Sequence, residues 1–529
     1  MFRIEFLKLT SHPQLGNIKL NLSDNSEYQK SEFPYTSVII GSNGTGKSFI
    51  LRTIAEIFRQ FHAYSTSESE KKIFNLPYSF HLRYRFYHNT YEIATRRLEV
   101  LTGSRRKEYI FFKNRPLDIS FSTKDLFEKE TGFEVLPNEL EFPTKVLVNS
   151  IMNNDRFVFK KTQPNDFYQY LGARSTSSTA STKSSVRKTI RHVFNATSTD
   201  DNFVSNLKDL LDFLEFQQSF KVVYKTKINK LFFSQQLTKS NFKKYFEHWW
   251  DEDFKFSKRQ KENPLWSIPY YNNNVRDNDE LTEKLIQFLN DLPNDENIFK
   301  HKPRSTSKII ELDLFNSGIL KSDLILISHL ENLDIINLEG IQIKKSSKSL
   351  NIDEISSGEY HLLITLIGIF ANVADNSLIL IDEPEISLHP NWQMRYISFL
   401  KNVFRKYANC HFILTTHSHF LVSDMEGSTS FLTGLKRVDS ELETIDIDTN
   451  TYGWSAEDVL YNIFDVTSTR NFYVAEEVGK ILNEISKQEI NKNRIKNKLN
   501  DLSKIKKSLK QNDPLLSLIV KIENEFANA

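Results

Sequence analysis

An α/β fold with an antiparallel β N-terminal part, a helical insertion and a helical C-terminal extension is what the 529-residue sequence predicts. Three observations carry that expectation. Short aliphatic runs, "SVII", "LILID" and "FILTT", each end in polar or charged residues, as buried strands do when they deliver side chains to one carboxyl edge of a parallel sheet. The first run is followed at once by a glycine-rich loop and an apolar repeat of helical period. A long segment then intervenes, holding "FVSNLKDLLDFLEF" and "LTEKLIQFLNDL", the clearest amphipathic helices of the chain.

At this length two or three folded regions are expected rather than one core, and 39% hydrophobic residues with 41 Phe and 20 Tyr supply them. A net charge of +2 says nothing about partners, so affinity for nucleic acid would have to come from local clusters. The single cysteine, Cys410, excludes a disulfide framework and a cysteine-built metal site. No run of ~18 apolar residues occurs, which argues against a membrane span. The start, "MFRIEFLKLT", lacks the basic-then-apolar layout of a signal peptide, and a soluble cytoplasmic protein is the expectation.

In chain order, Phe2, Ile4 and Phe6 alternate with polar residues as in a half-buried strand. The segment "SVIIGSNGTGKSFILRTIAEIF" gives a strand over Ser37–Ile40, a loop, and a helix with Ile50, Leu51, Ile54 and Ile57 at helical spacing; Gly41 to Ser48 fits G-x-x-x-x-G-K-[ST]. In that context the loop N–H groups, through Asn43, Gly44, Thr45 and Gly46, curl round phosphate oxygens at a helix N-terminus. Lys47 reaches the β- and γ-phosphates of ATP and the Ser48 hydroxyl ligates Mg²⁺. Further on, "SFHLRYRFY" and "YEIATRR" alternate, and His88–Asn89 between them reads as a hairpin turn.

In "LILIDEPEISLHP" two adjacent acids, Asp382 and Glu383, end a buried strand, which is costly unless something cationic sits opposite. Mg²⁺ supplies that cation: Asp382 would hold it through water, and Glu383 would orient or deprotonate the attacking water. "FILTTHSHF" brings His417 out at the same edge; a lone histidine is usually structural, but one in this position reads as a sensor of the γ-phosphate. "EISSGEYHLLITLIGIF" places Ser356, Ser357 and Gly358 before a helix with Leu362, Leu363, Leu366, Ile367 and Phe370 on one apolar face. Taken alone it is an ordinary helix start with hydroxyl caps.

Together, in this order, the four segments resemble the ATP-binding-cassette (ABC) ATPases. Gly41–Ser48 matches the Walker A loop, Ile355–Glu359 the signature motif, Leu378–Glu383 the Walker B strand, Ile386–Pro390 the D-loop and His417 the switch histidine. The resemblance implies ATP clamped between two protomers, a homodimer or higher oligomer, with Ser356, Ser357 and Gly358 of one facing the Walker A loop of the other. "DEPEISLHP" and about 300 residues between Ser48 and Ile355 are similar to the RecF, Rad50 and OLD-type group rather than to transporters. Coiled-coil arms are not expected, because residues 200–340 lack sustained heptads. "KVLVNSIMNNDRF", "YLGARS" and "YGWSAEDVLYNIFDV" resemble the PtuA-like ATPases of Septu and retron antiphage defence systems. That likeness implies a partner HNH nuclease (PtuB) and, in a retron, a reverse transcriptase with its RNA/DNA product. Asn149 and Ser150 stand where the family carries its Q-loop glutamine.

The expected organisation is an ATPase head over residues 1–160 and 341–450, a linker and helical insertion over 161–340, and a helical extension over 451–529. The extension is too short for a TOPRIM domain, and neither a His-Asn-His arrangement nor Cys/His metal spacing occurs, so a nuclease would be another chain. The basic stretch 492–510 and the Ser/Thr-rich, basic stretch 175–191, which reads as a mobile linker, are the only signals for nucleic acid, and a basic helix of the first kind is more often a solvated or partner-docking face than a phosphate-binding one. The expected function is an ATP-hydrolysing subunit that holds or licenses an effector nuclease. A RecF-like repair ATPase, and a nucleotide-gated scaffold that sequesters a toxin, stand as alternatives.

Overall fold

Phe2, Ile4, Leu7 and Leu9 of the first strand all enter one core although their spacing is odd, because the register shifts between Ile4 and Phe6. That bulge carries Phe6 out of the core, where simple alternation would have buried it. The computed structural model describes residues 1–447 apart from 25–30, 67–75, 100–104, 117–132, 153, 161–162, 164, 175–181, 228–229, 234, 248–266, 296–297, 302–307, 316–320, 347, 424 and 440; beyond 447 it describes 451, 454, 459, 479–480 and 516–521.

Two compact units result, Met1–Gly453 and Trp454–Ala529. In the first, β1 (Phe2–His12) and β2 (Gly16–Asn21) form a hairpin, and β3 (Tyr35–Gly41) leads through the glycine loop into α1 (Lys47–Thr66). Then β4 (Ser79–Phe86), β5 (Asn89–Glu99) and β6 (Arg105–Lys113) join β1 and β2 in a five-stranded antiparallel sheet of order β2-β1-β4-β5-β6. Phe86 pairs with Asn89, so Tyr87 and His88 make the two-residue turn. Strands β7 (Val146–Ser150) and β8 (Tyr168–Tyr170) follow.

The insertion departs from expectation. Its helices are present: α2 (Thr182–Thr199), α3 (Phe203–Phe213), α4 (Lys239–Glu247), α5 (Ile268–Asn274), α6 (Asp279–Asp291) and, later, α7 (Lys321–Asn332). They accompany a second five-stranded antiparallel sheet, so the insertion is helical only in part. The sheet has the order β10-β11-β9-β12-β13, built from β9 (Gln217–Thr226), β10 (Phe299–His301), β11 (Lys308–Asp313), β12 (Ile336–Lys345) and β13 (Lys348–Asn351). Phe220, Val222 and Tyr224 of β9 face one core with Ile310 and Leu312, a short alternation interrupted by Val223 on the face of Lys221 and Lys225 and so quieter than the helical repeats. Residues 182–191, read as part of a linker, belong to α2.

The chain then returns to the head with α8 (Ser357–Phe370), β14 (Leu378–Asp382), α9 (Pro390–Met394), α10 (Tyr396–Val403), β15 (His411–Thr416), β16 (Ser430–Val438) and β17 (Glu441–Asp446). A seven-stranded sheet runs β17-β16-β3-β15-β14-β7-β8, parallel throughout except for edge strand β17. Helix α1 packs on it and also reaches the antiparallel sheet, with Phe58 between Phe2 and Tyr84. Helix α8 is buried on nearly every side from Leu362 to Phe370, not on one face, because α2 of the insertion packs against it too. Among the described residues no helix is long and apolar enough to cross a membrane. The second unit is described at few positions, buried Val459 and Ile519 among them; residues 516–521 are helical, as expected there, while residues 452–466 taken as a whole and the basic stretch 492–510 fall outside the described residues.

Candidate nucleotide site

Parallel register sets the site. Asp382 pairs with Thr415 on one side and Ser150 on the other, while Thr416 pairs with Ile40. Strands β3, β15, β14 and β7 therefore end side by side, and the glycine loop, His417, Glu383 and the Ser150 end of β7 all lie at one carboxyl edge.

In the loop, Gly44 and Gly46 have φ of +82° and +88°, a conformation glycine adopts without a Cβ penalty, and a methyl on Gly46 would strike the Leu15 side chain. Asn43 is exposed at the loop tip, and Thr45 Oγ1 donates to the Ser42 carbonyl at 2.8 Å. The buried Lys47 Nζ donates to the Gly41 carbonyl at 2.8 Å and the Ser42 carbonyl at 3.3 Å, and lies 2.8 Å from His417 Nε2. Burial lowers its pKa to about 8, against the pull of Glu383, Glu385 and Asp382.

Asp382 is 1% exposed. Its Oδ1 accepts from Ser48 Oγ at 3.0 Å and Thr415 Oγ1 at 2.5 Å, while buried Oδ2 has no hydrogen-bond partner among the described residues. Burial pushes this carboxyl above its usual range. Glu383 behaves oppositely: His417 Nε2 lies 3.2 Å from its Oε1 and holds its pKa below the usual value. A magnesium ion takes oxygen ligands and keeps waters and phosphate oxygens in its shell. An orphaned buried carboxylate oxygen beside a serine hydroxyl suits it, although no cluster of three protein metal ligands occurs among the described residues.

Lys47, Ser48, Asp382, Glu383 and His417, read from three separate segments, thus come together. Ser356, Ser357 and Gly358 do not join them: no hydrogen bond links them to the glycine loop among the described residues. Ser356 caps α8, its hydroxyl accepting from Glu359 N–H at 3.3 Å while Glu359 answers the Ser356 N–H and pairs with Lys345. Ser356 and Ser357 are exposed; Gly358 is buried, and a methyl there would meet the Ser387 carbonyl at 2.5 Å. Asn149 and Ser150, at the Q-loop place, are buried, and the Asn149 amide spans Leu171 and Thr365 at 3.4 Å each. Sequence reading missed Thr415, Glu385 and Gln393. Thr415 could have been found from its register opposite Asp382; the other two carry no local signal.

A family model for the AAA ATPase domain, AAA_15, matches residues 3–422. The chain belongs to the AAA_15 family. Its AAA_15 region contains every site residue named above, from the glycine loop to His417. Among solved structures, the SMC head domain from Thermotoga maritima is similar at 12% identity and TM-score 0.34, over 84% of this chain and 99% of that one. The Smc head domain with an extended coiled coil from Pyrococcus furiosus, bound to the C-terminal domain of ScpA, gives 13% and 0.31, over 92% and 100%.

Proposed function

We propose that this AAA ATPase-domain protein binds ATP with Mg²⁺ at the edge formed by β3, β15 and β14, and hydrolyses it in a site completed by a second copy. The orphaned Oδ2 of Asp382, beside Ser48 Oγ and close to Lys47, carries the reading. Lys47, released from the Gly41 and Ser42 carbonyls, would turn its charge to the β- and γ-phosphates. Held by Ser48 and Asp382, Mg²⁺ would neutralise phosphate charge. Glu383, kept ionised by His417, would take the proton of the attacking water, and His417, between Glu383 and Lys47, would meet the γ-phosphate. Ser356 and Ser357, exposed at the N-terminus of a buried helix, would supply the partner's share.

Calorimetry tests the first step. Mg-ATP should bind the wild-type protein and fail to bind Lys47→Ala; equal binding by both would overturn the site. The wider role rests on the resemblance to PtuA-like ATPases: the nucleotide-driven assembly would hold or license a partner HNH nuclease in antiphage defence, with a reverse transcriptase present in a retron setting. Purification from native expression should bring down a small nuclease; recovery of the ATPase with repair factors instead would favour the RecF-like role.

A further inference from the structure

Two loops leave the sheet edge side by side, and the chain ties them together with side chains that no step above uses. After β14 the backbone turns through Glu385–Leu388: Ile386 N–H donates to the Glu383 carbonyl at 3.3 Å, Leu388 N–H to the Glu385 carbonyl at 3.0 Å, and Ser387 sits at φ +68°. From this turn the Glu385 carboxylate accepts the backbone N–H of His417 at 2.7 Å. Gln393 on α9 donates to the Leu388 carbonyl at 2.8 Å and the Glu385 carbonyl at 3.4 Å, and its Oε1 accepts from Ser418 Oγ at 2.5 Å. His417 and Ser418 are each gripped from the same turn. On its far side the turn presents the Ser387 carbonyl to Gly358, so closely that a Cβ there would lie 2.5 Å away.

We propose that Glu385 and Gln393 are positioning residues that make the His417 loop and the Glu385–Leu388 turn one body, which passes the state of His417 through Ser387 to Gly358 and the exposed serines of α8. Such a body gives this chain a contact path from its own glycine loop to the surface offered to a second copy. The path does not need a glutamine on β7, where Asn149 is turned towards Thr365 and Leu171. Accepting an N–H requires one oxygen and no charge, so a glutamine at 385 should serve as well as the glutamate.

The functional half of this proposal rests on the nucleotide site described above; the structural half does not. Hydrogen exchange of the full-length protein separates them. In Glu385→Ala, peptides covering 412–420 and 355–362 should both lose protection by tenfold or more, α1 should stay as in the wild type, and Glu385→Gln should restore both. If Glu385→Ala does not fold, Gln393→Ala is read in the same way. Unchanged exchange over 412–420 overturns the clamp, and loss there with none over 355–362 overturns the path to α8. In hydrolysis, Glu385→Ala should lose at least tenfold in kcat while the calorimetric Kd for ATP moves less than twofold, again with rescue by glutamine. A wild-type protein without turnover would defeat the functional reading and leave the exchange result to decide the clamp.

Discussion

Glu383 occupies left-handed backbone space at φ +49°, a conformation that costs a residue with a side chain roughly 1–2 kcal/mol. Its N–H donates to the Thr415 carbonyl at 3.0 Å and holds it there. The turn off the strand lets two consecutive acids differ: Asp382 stays buried under Ser48 and Thr415, and Glu383 emerges beside His417. Burial raises one carboxyl and the histidine lowers the other, and of the two it is the Glu383 carboxylate that stands free of the Ser48 and Thr415 hydroxyls, where the proposed site needs an acid to meet water. Glu383→Gln keeps shape and hydrogen bonding, so ATP should remain bound and assembled protein accumulate, while hydrolysis falls by about 10²- to 10⁴-fold. Phosphate release measured alongside light scattering checks this, and normal release would reduce Glu383 to a structural acid. Lys47, Ser48, Asp382 and Glu383 were legible because each lies in a run whose neighbours already fix strand, loop or helix. Glu385 and Gln393 were not, since their partners His417 and Ser418 lie 32 and 25 residues away and only the fold brings them close.

Among the elements, the antiparallel sheet holds a charge network that its alternating pattern did not announce. Behind the apolar face of β1, β4 and β5, Arg83 bridges Glu5 at 2.7 Å and Glu92 at 2.5 Å, and Glu92 also receives Arg115 at 2.6 Å and His81 at 2.5 Å. Burial alone would raise Glu92; hydrogen bonds from His81 and Arg115 outweigh it and hold the carboxyl at about 2. A folded-state pKa below the unfolded one contributes stability that is complete above about pH 4.5 and is lost as pH falls towards 2. Glu92→Gln should therefore cost roughly 3–5 kcal/mol at pH 7, because it leaves buried arginines unpaired, and the penalty should shrink steadily below pH 4.5. Urea denaturation at pH 7, 4 and 3 reads both; a penalty constant with pH would mean that Glu92 is not the ionised hub. The insertion sheet was illegible for a related reason. Val223, on the face of Lys221 and Lys225, interrupts the short alternation of β9, whereas α3 and α6 announce themselves by period alone.

At the scale of the whole molecule, the proposed site is half a site, and the structure decides how to test the missing half. Gly358 would be a poor position to change: any side chain there must displace the Ser387 backbone of its own chain, and loss of activity would report misfolding as readily as lost contact. Ser357 is exposed in the first turn of α8 and takes no part in the Ser356–Glu359 capping box, so Ser357→Glu should fold normally. Its carboxylate would then face the γ-phosphate bound by a second copy, and the variant should bind ATP in its own loop without closing or hydrolysing. Lys47→Ala has the complementary lesion, an intact α8 and no phosphate grip. Mixed, the two variants form dimers in which both lesions share one site and the other is whole. With random exchange about half of the dimers are mixed and each carries one working site of two, so about a quarter of wild-type hydrolysis should return if the sites fire independently. Neither variant alone should show any. Failure to recover, after subunit exchange has been verified by mass spectrometry of differently tagged chains, would count against independently working sites shared between copies.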